Sequence, residues 1–382
     1  MKAEVFLAYY VAAWAIVTAI ASKYYRGNAR GLSIAPLIVV WRVPLAFTFL
    51  DRLKGSRLLN LLLDSGIAII LASMLFFYSY FISSLITYLS GKGATAALTP
   101  IVPGVTIGVK TFLYMLPGLS LAIIAHELSH ALAARHEGVR IRSSGIMVIA
   151  GLLPAAFVEP GEEEIRKLRL RSRLRIYSAG VLANILAFLA IKLLLALLAS
   201  NGFSTVIVDV EKGSIADRSG IKPGMLIDYF EVNGTRLNTM NDLIHYLNEL
   251  RAKNNGTIAH LELLMVFVSK GGNVSIIKPA APQDSSDTKY YDRIGIYMYP
   301  VSKILVKFFE PKTAIAITAI LLYAALINIS LALINSAPLF ITDGARVVED
   351  ILKIKVKGRV STVITYIVSA ATLAIILPSL RL

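Results

Sequence analysis

Residues 121–138 read LAIIAHELSHALAARHEG. They close an apolar run, 112–134, that is long enough to cross a bilayer, for which roughly 20 apolar residues suffice. Yet His126, Glu127 and His130 sit inside it. An ionisable group at membrane depth costs about 3 kcal/mol or more unless it is paired, so three within five residues demand partners. A chance cluster, or two packed core histidines beside a buried glutamate, is the bland alternative.

The rest of the chain makes the membrane reading general. Of 382 residues, 56% are hydrophobic and 16% charged, where a soluble domain carries about a quarter charged. Apolar runs at 4–22, 60–88, 112–134, 176–199, 312–336 and 360–379 are predicted spans. A seventh run, 34–50, is short and contains Pro36, Arg42 and Pro44, so it is read as interfacial or re-entrant. The run Phe6–Ala21 lacks a basic leader, and ASKYYRG after it is no small-residue cleavage site, so it is read as an anchor. The expected fold is therefore a multi-pass α-helical membrane protein of about six spans.

Net charge is +15. In a soluble chain this points to nucleic acid; here basic loops orient membrane segments and touch anionic headgroups, and no nucleic-acid partner is expected. The basic loops 23–57, 135–175 and 346–359 belong on the cytosolic side by the positive-inside rule. The N-terminus, 89–111, 200–311 and the C-terminus then fall outside. There is no cysteine, which excludes disulfides and thiolate ligands.

Residues 203–300 change character. Short β-branched runs (Val206–Val210, Leu226–Val232, Leu261–Val268) are bounded by Gly, Pro and Asn, and LNTMNDLIHYLNEL, 237–250, has helical spacing. This predicts an inserted, extracytoplasmic α+β module. PAAPQDSSDTKYYD, 279–292, reads as a mobile loop. The expected organisation is 1–111, N-terminal spans and loops; 112–200, a first core segment; 201–300, the module; and 301–382, a second core segment.

The i, i+4 spacing puts His126 and His130 on one helix face, with Glu127 beside it. This is the HExxH arrangement of two metal-ligating imidazoles and a carboxylate base. A third ligand is needed. His136 lies about 15 Å from His126 along an unbroken helix and is expected to be solvated. Glu159 is another carboxylate, and Glu162, Glu163 and Glu164 suit a solvated face or the start of an amphipathic surface helix. Asp343, in LINSAPLFITDGARVVEDIL (333–352), follows a span running in the same direction as 112–134, so all three side chains lie at similar depth near the cytosolic face. The alternative for Asp343 is a helix N-cap. SSGIMVIAGLLPAAFVEP, 143–160, is expected as a strand or hairpin whose open edge takes an extended peptide by strand addition; a packed re-entrant loop is the alternative.

These segments resemble the site-2 protease family of intramembrane zinc metalloproteases, in its archaeal and eukaryotic-like branch. HELSH matches its HExxH; INSAPLFITDG is similar to its Asn-x-x-Pro…Leu-Asp-Gly motif, with Thr342 in place of leucine; SAGVLANILAF carries Gly180 and Asn184 of a third motif, with Val181 in place of proline. RGLSIAPLIVVWR, LTPIVPGVTI and GLLPAAFVEPGEEE also look like that branch, and EKGSIADRSGIKPGMLIDYFEVNG is similar to a PDZ domain. The resemblance implies one Zn²⁺ on His126, His130 and Asp343, Glu127 as general base, and Asn335 or Asn184 as an oxyanion donor, each asparagine having an interhelical hydrogen bond as its alternative. It implies cleavage of single-span membrane substrates within the bilayer, with a peptide or chain terminus as ligand of the PDZ-like module. A catalytically silent membrane scaffold acting through that module is the competing reading. A transporter with a structural metal would show paired inverted halves, which the sequence lacks.

Overall fold

A computed structural model describes residues 3–24, 31–43, 47–95, 98–103, 106–151, 153–269, 272–282 and 288–380. In chain order the elements are α1 (Ala3–Tyr24), β1 (Leu32–Ala35), β2 (Ile38–Val43), α2 (Arg57–Thr87), α3 (Val109–His136), β3 (Ile141–Ile149), β4 (Leu153–Pro160), α4 (Glu162–Lys167) and α5 (Leu170–Ala199). There follow β5 (Phe203–Val210), α6 (Ile215–Arg218), β6 (Leu226–Ile227), β7 (Tyr229–Val232), β8 (Thr235–Leu237), α7 (Met240–Lys253), β9 (Leu263–Ser269) and β10 (Gly272–Lys278). The chain ends with α8 (Thr288–Tyr291), β11 (Ile296–Ser302), α9 (Lys303–Phe308), α10 (Pro311–Ser336), α11 (Asp343–Leu352) and α12 (Gly358–Ile376). Two compact units result, Met1–Ile191 with Leu322–Leu382, and Lys192–Leu321.

Among the described residues five helices are long and apolar enough to cross a membrane: Arg57–Lys92, Val109–His136, Leu170–Ala199, Pro311–Ser336 and Gly358–Ser379. They are apolar on all sides, but each buries only a stripe. In α2 that stripe is Leu59, Leu63, Gly66, Ile70, Ser73, Phe77, Phe81 and Ser84, a three-to-four-residue spacing, while Leu58, Leu61, Leu75 and Phe76 on the other face are exposed. A helix hydrophobic all round needs a lipid or protein surround. In α12 the inward stripe is Ser361, Thr365, Ser369 and Thr372, small polar residues that allow close approach and hydrogen bonding in lipid. Thr372 and Tyr78 pair at 2.5 Å. A Cβ on Gly118 of α3 would lie 2.6 Å from Ala324 Cα of α10, so glycine sets that crossing.

The seventh apolar run does not form a membrane helix. Residues 32–43 make the hairpin β1–β2, and Thr48–Leu53 a short 3-10 helix. The hairpin joins β3–β4 in one antiparallel sheet, ordered β1-β2-β3-β4, through pairs from Ile38–Ile149 to Val43–Ser144. The β-branched sequence IVVW favours a strand, and Leu37, at φ 67°, closes the turn after Pro36. The 143–160 segment is the hairpin β3–β4. Gly145 is required in β3, because a Cβ there would strike Trp41 O and the Phe157 ring. Helix α1 holds both turns: Trp14 Nε1 donates to Leu37 O at 3.3 Å, Leu37 N to Thr18 Oγ1 at 2.9 Å, and the Tyr10 hydroxyl to Gly151 O at 3.3 Å.

A charged knot ties α2, α3 and α5 near their ends. Arg175 donates to Asp64 at 2.7 and 2.8 Å, to Asn60 Oδ1 at 2.7 Å and to Glu137 Oε1 at 2.8 Å. His136, expected to be solvated, is half-buried instead, its Nε2 against Asn60 Oδ1 at 3.1 Å, because α3 packs on α2 through its last turn.

The second unit has two sheets, β10-β9-β7-β8 and β11-β5-β6. Its core gathers Ile207, Val232, Phe230, Met265 and Phe267. Helix α7 starts on a capping box, with Thr239 Oγ1 accepting from Asp242 N and Asp242 Oδ2 from Thr239 N. Of the loop expected at 279–292, residues 283–287 lie outside the described residues, and Thr288–Tyr291 form one helical turn.

Candidate metal centre

Three donors from two distant parts of the chain meet. His126 and His130 project from one face of α3, and Asp343 is the first residue of α11. The two Nε2 atoms are 3.2 Å apart, and Asp343 Oδ2 lies 3.2 Å from His126 Nε2 and 3.3 Å from His130 Nε2. Thr342, not Asp343, holds the cap position of α11, and the Thr342 hydroxyl bonds back to Leu339 O. Gly344 lets the chain turn there: a Cβ would collide with the Ser336 carbonyl.

The hydrogen bonds behind the rings decide what the front presents. Asn184 of α5 is fully buried, and its Nδ2 donates to Ala122 O and to Asn328 Oδ1, both at 3.0 Å. Asn328 in turn donates to Ala324 O at 2.8 Å. These bonds fix the Asn184 amide so that its Oδ1 faces His126 Nδ1 at 2.8 Å. His126 Nδ1 must therefore carry the proton and donate. His130 Nδ1 faces the Ile176 carbonyl at 2.8 Å, which accepts only, so it too is a donor. In the neutral form of each ring it is then Nε2 that presents the lone pair.

Asp343 Oδ2 is buried, and its near polar neighbours are these two Nε2 atoms. Three potential ligand atoms, two imidazole nitrogens and one carboxylate oxygen, thus converge within 3.3 Å of one another, a set that a single cation can bridge when both rings are neutral. The spacing suits one. Zinc bonds of about 2.0–2.1 Å in a tetrahedron put ligand atoms about 3.3–3.4 Å apart, against 3.2, 3.2 and 3.3 Å here. The residues present fit a divalent metal with two imidazoles and one carboxylate. Among the described residues this is the one group of three or more metal-binding side chains.

Glu127 is half-buried beside this triangle. Its Oε2 accepts from Val158 N of β4 at 2.8 Å, while Oε1 accepts from no described residue. That bond also orients the sheet. Val158 pairs with Ser144 of β3 on one side, and β4 ends the sheet order, so the edge bearing the Val158 amide points at Glu127. Helix α5 packs equally close: a Cβ on Gly180 would lie 2.5 Å from both His126 Nε2 and His130 Nε2.

Asn335 lies half-buried in the last turn of α10 and hydrogen-bonds to no other described residue. Asn184 has both amide hydrogens and its oxygen committed, which is the interhelical alternative. Asn328, Val158 and the Ile176 carbonyl were not identified from the sequence. For Asn328 the available signal was an amide in the middle of the apolar run 312–336, which it shares with Asn335. The two backbone groups carry no side-chain signal.

Residues 114–379 match the model of peptidase family M50. The chain is similar to an uncharacterized protein of Methanocaldococcus jannaschii, 33% identical over 135 residues, 35% of each chain. It is also similar to a membrane-bound transcription factor site-2 protease homolog of Arabidopsis thaliana, 28% identical over 123 residues, 30% of this chain and 24% of the relative. The matched stretch spans well under two thirds of either relative.

Proposed function

The chain belongs to peptidase family M50, and from that premise we propose that it is a zinc endopeptidase that cuts membrane-anchored proteins within or near their spanning segments. The observation that carries this reading is the convergence of one ligand atom each from His126, His130 and Asp343 next to a carboxylate whose Oε1 accepts from no described residue. Zinc held there supplies the positive charge that acidifies a water and polarises the scissile carbonyl. Glu127 takes the water's proton on Oε1 and delivers it to the leaving amine. Its Oε2 stays anchored on Val158, which keeps Oε1 aimed.

Asn184 positions: it fixes the tautomer and tilt of His126, with Asn328 behind it, as outer hydrogen-bond partners do for metal-ligating histidines. Asn335, uncommitted at the end of α10, donates to the developing oxyanion. The substrate segment, unwound to expose its carbonyls, adds as a strand along the edge of β4 that faces Glu127, beyond the Val158 amide. In the second unit a groove of about 440 Å³ lies between α7 and the edge strand β11, lined by Leu243, Leu247, Phe267 and Met298. It suits an extended peptide or chain terminus, as in a PDZ-like module. The basic loops put the metal site near the cytosolic face and the module outside.

The test uses full-length protein in detergent and a single-span substrate. Glu127→Gln should keep one zinc per chain and lose cleavage by about 10²-fold or more, the scale of general acid–base catalysis. Equal cleavage by wild type and variant would remove Glu127 from the mechanism. Absence of cleavage by wild type on every spanning substrate, with zinc bound, would favour the silent scaffold.

A further inference from the structure

Outside the metal centre, a cavity of about 520 Å³ opens where α4, α5, α11 and α12 meet, within the size range of small-molecule pockets, about 300–1,000 Å³. Most of its charges are already spent. Arg173 Nε donates to Asp350 at 2.7 Å and its Nη1 to Leu168 O at 2.9 Å. Lys353 lies 3.1 Å from both Glu349 and Asp350. The Arg166–Glu162 pair, 3.6 Å apart, is an exposed i, i+4 contact.

Two groups remain. Arg346 has no ion pair with a described residue; its guanidinium stands 6.0 Å from the Tyr177 ring centroid. The Tyr177 hydroxyl, at the same wall, donates to no described residue. Four cations against three carboxylates leave the lining one positive charge in excess. The pocket thus offers one unpaired guanidinium and one free hydroxyl donor to a singly charged oxyanion. Arginine suits such a group because its fork binds two phosphate oxygens at once.

The cavity's depth identifies the source of that anion. It is lined by Arg173, four residues into α5, and by Gly358, the first residue of α12. Both helices are apolar enough to span a membrane, so the cavity lies at their polar ends, where lipid phosphates sit. We propose that it binds the phosphodiester headgroup of an anionic phospholipid, with Arg346 gripping the phosphate and Tyr177 donating to it. A choline or ethanolamine headgroup would bring another cation into a lining that already has one in excess. Arg346 lies one turn after Asp343 on α11, and Tyr177 follows Ile176, whose carbonyl holds His130. The bound lipid therefore clamps together the two segments that support the metal donors.

The test takes the full chain in neutral detergent and titrates phosphatidylglycerol or phosphatidylcholine, reading lipid retained by native mass spectrometry and the thermal unfolding midpoint. One phosphatidylglycerol per chain should be retained. Arg346→Gln, an exposed change that spares packing, should weaken retention about tenfold or more, as loss of a charge-assisted hydrogen bond does. Tyr177→Phe should weaken it severalfold, and Arg346→Lys should restore part. Arg359→Gln, an exposed cation that does not line the cavity, should change nothing. Equal retention by wild type and Arg346→Gln overturns the proposal, and so does an equal loss in Arg359→Gln, which would mean a diffuse field. Stabilisation by inorganic phosphate alone equal to that by phosphatidylglycerol would make free phosphate the occupant. Stabilisation by an acidic peptide but not by the lipid would replace it with a protein ligand.

Discussion

Replacing Gly180 by alanine places a single methyl group against the metal centre. The added carbon would sit 2.5 Å from His126 Nε2 and from His130 Nε2, where ordinary contact begins at 3.4 Å. Either the rings retreat by about 0.9 Å or α5 does. Ligand distances in a working metal site hold to about 0.2 Å, so ring retreat exceeds the tolerance several-fold. If α5 moves instead, the bonds from His126 Nδ1 to Asn184 and from His130 Nδ1 to Ile176, each 2.8 Å, stretch past 3.5 Å and are lost. Losing such outer partners weakens metal affinity about 10–100-fold, about 1.4–2.7 kcal/mol. Both routes converge on at least that loss. Chelator competition for zinc on the full chain in detergent measures it. Gly66→Ala, whose Cβ would meet Ser178 Oγ at 3.1 Å and Leu182 rather than the imidazoles, controls for general damage to helix packing. A Gly180→Ala protein with wild-type zinc affinity would refute the packing of α5 on the imidazoles.

Further outcomes follow from the same geometry. Asn184→Ala leaves the His126 Nδ1 proton, Ala122 O and Asn328 Oδ1 without their partner in a dry interior. Zinc affinity should fall about 10–100-fold, read by the same competition assay; unchanged affinity would mean that His126 needs no orienting partner. Val158→Pro removes the amide that holds Glu127 Oε2 at an outward-facing edge position where proline is tolerated. Cleavage should drop about tenfold with zinc retained, and full activity would show that the anchor is idle. Asp51 accepts from Arg135 Nε at 2.8 Å, and that hydrogen bond, reinforced by Lys54, holds its carboxyl below the usual value. The lowered folded value makes its contribution to stability present above about pH 3.9, the unfolded value, and lost as pH falls through the folded one. Thermal melts of wild type and Asp51→Asn should therefore differ at pH 6 and converge toward pH 2; a gap independent of pH would contradict the pairing.

The spans are legible because lipid requires unbroken apolar helices, and the runs at 60–88, 112–134, 176–199, 312–336 and 360–379 have no other use for such composition. The run at 34–50 is read as interfacial or re-entrant, but its strands are not legible, because β-branched residues suit both a strand and a membrane helix. What settles it is the pairing of Ile38–Val43 with Ser144–Ile149, a contact between segments a hundred residues apart that one sequence does not reveal. At the candidate metal centre, spacing alone singles out His126, Glu127 and His130, and Asp343 emerges only once the direction of two spans is reasoned through. The supporting partners were less visible. Val158 and Ile176 contribute backbone atoms, which any residue supplies. Asn328 stands seven residues before Asn335 in the same apolar helix, and the sequence does not say which of the two reaches inward to Asn184. His136 was misplaced because the last turn of α3 reads as the end of a span, whereas α2 extends alongside it and offers Asn60.

The central claim is that two imidazoles and one aspartate carboxylate hold a zinc ion. Zinc-edge X-ray absorption on the purified full-length chain tests it most directly. Wild type should show one zinc with two imidazole nitrogens and oxygen neighbours at about 2.0–2.2 Å, and Asp343→Ala should lose the metal or the carboxylate contribution. A wild-type spectrum without two histidines, or an Asp343→Ala spectrum identical to wild type at full occupancy, would contradict the account.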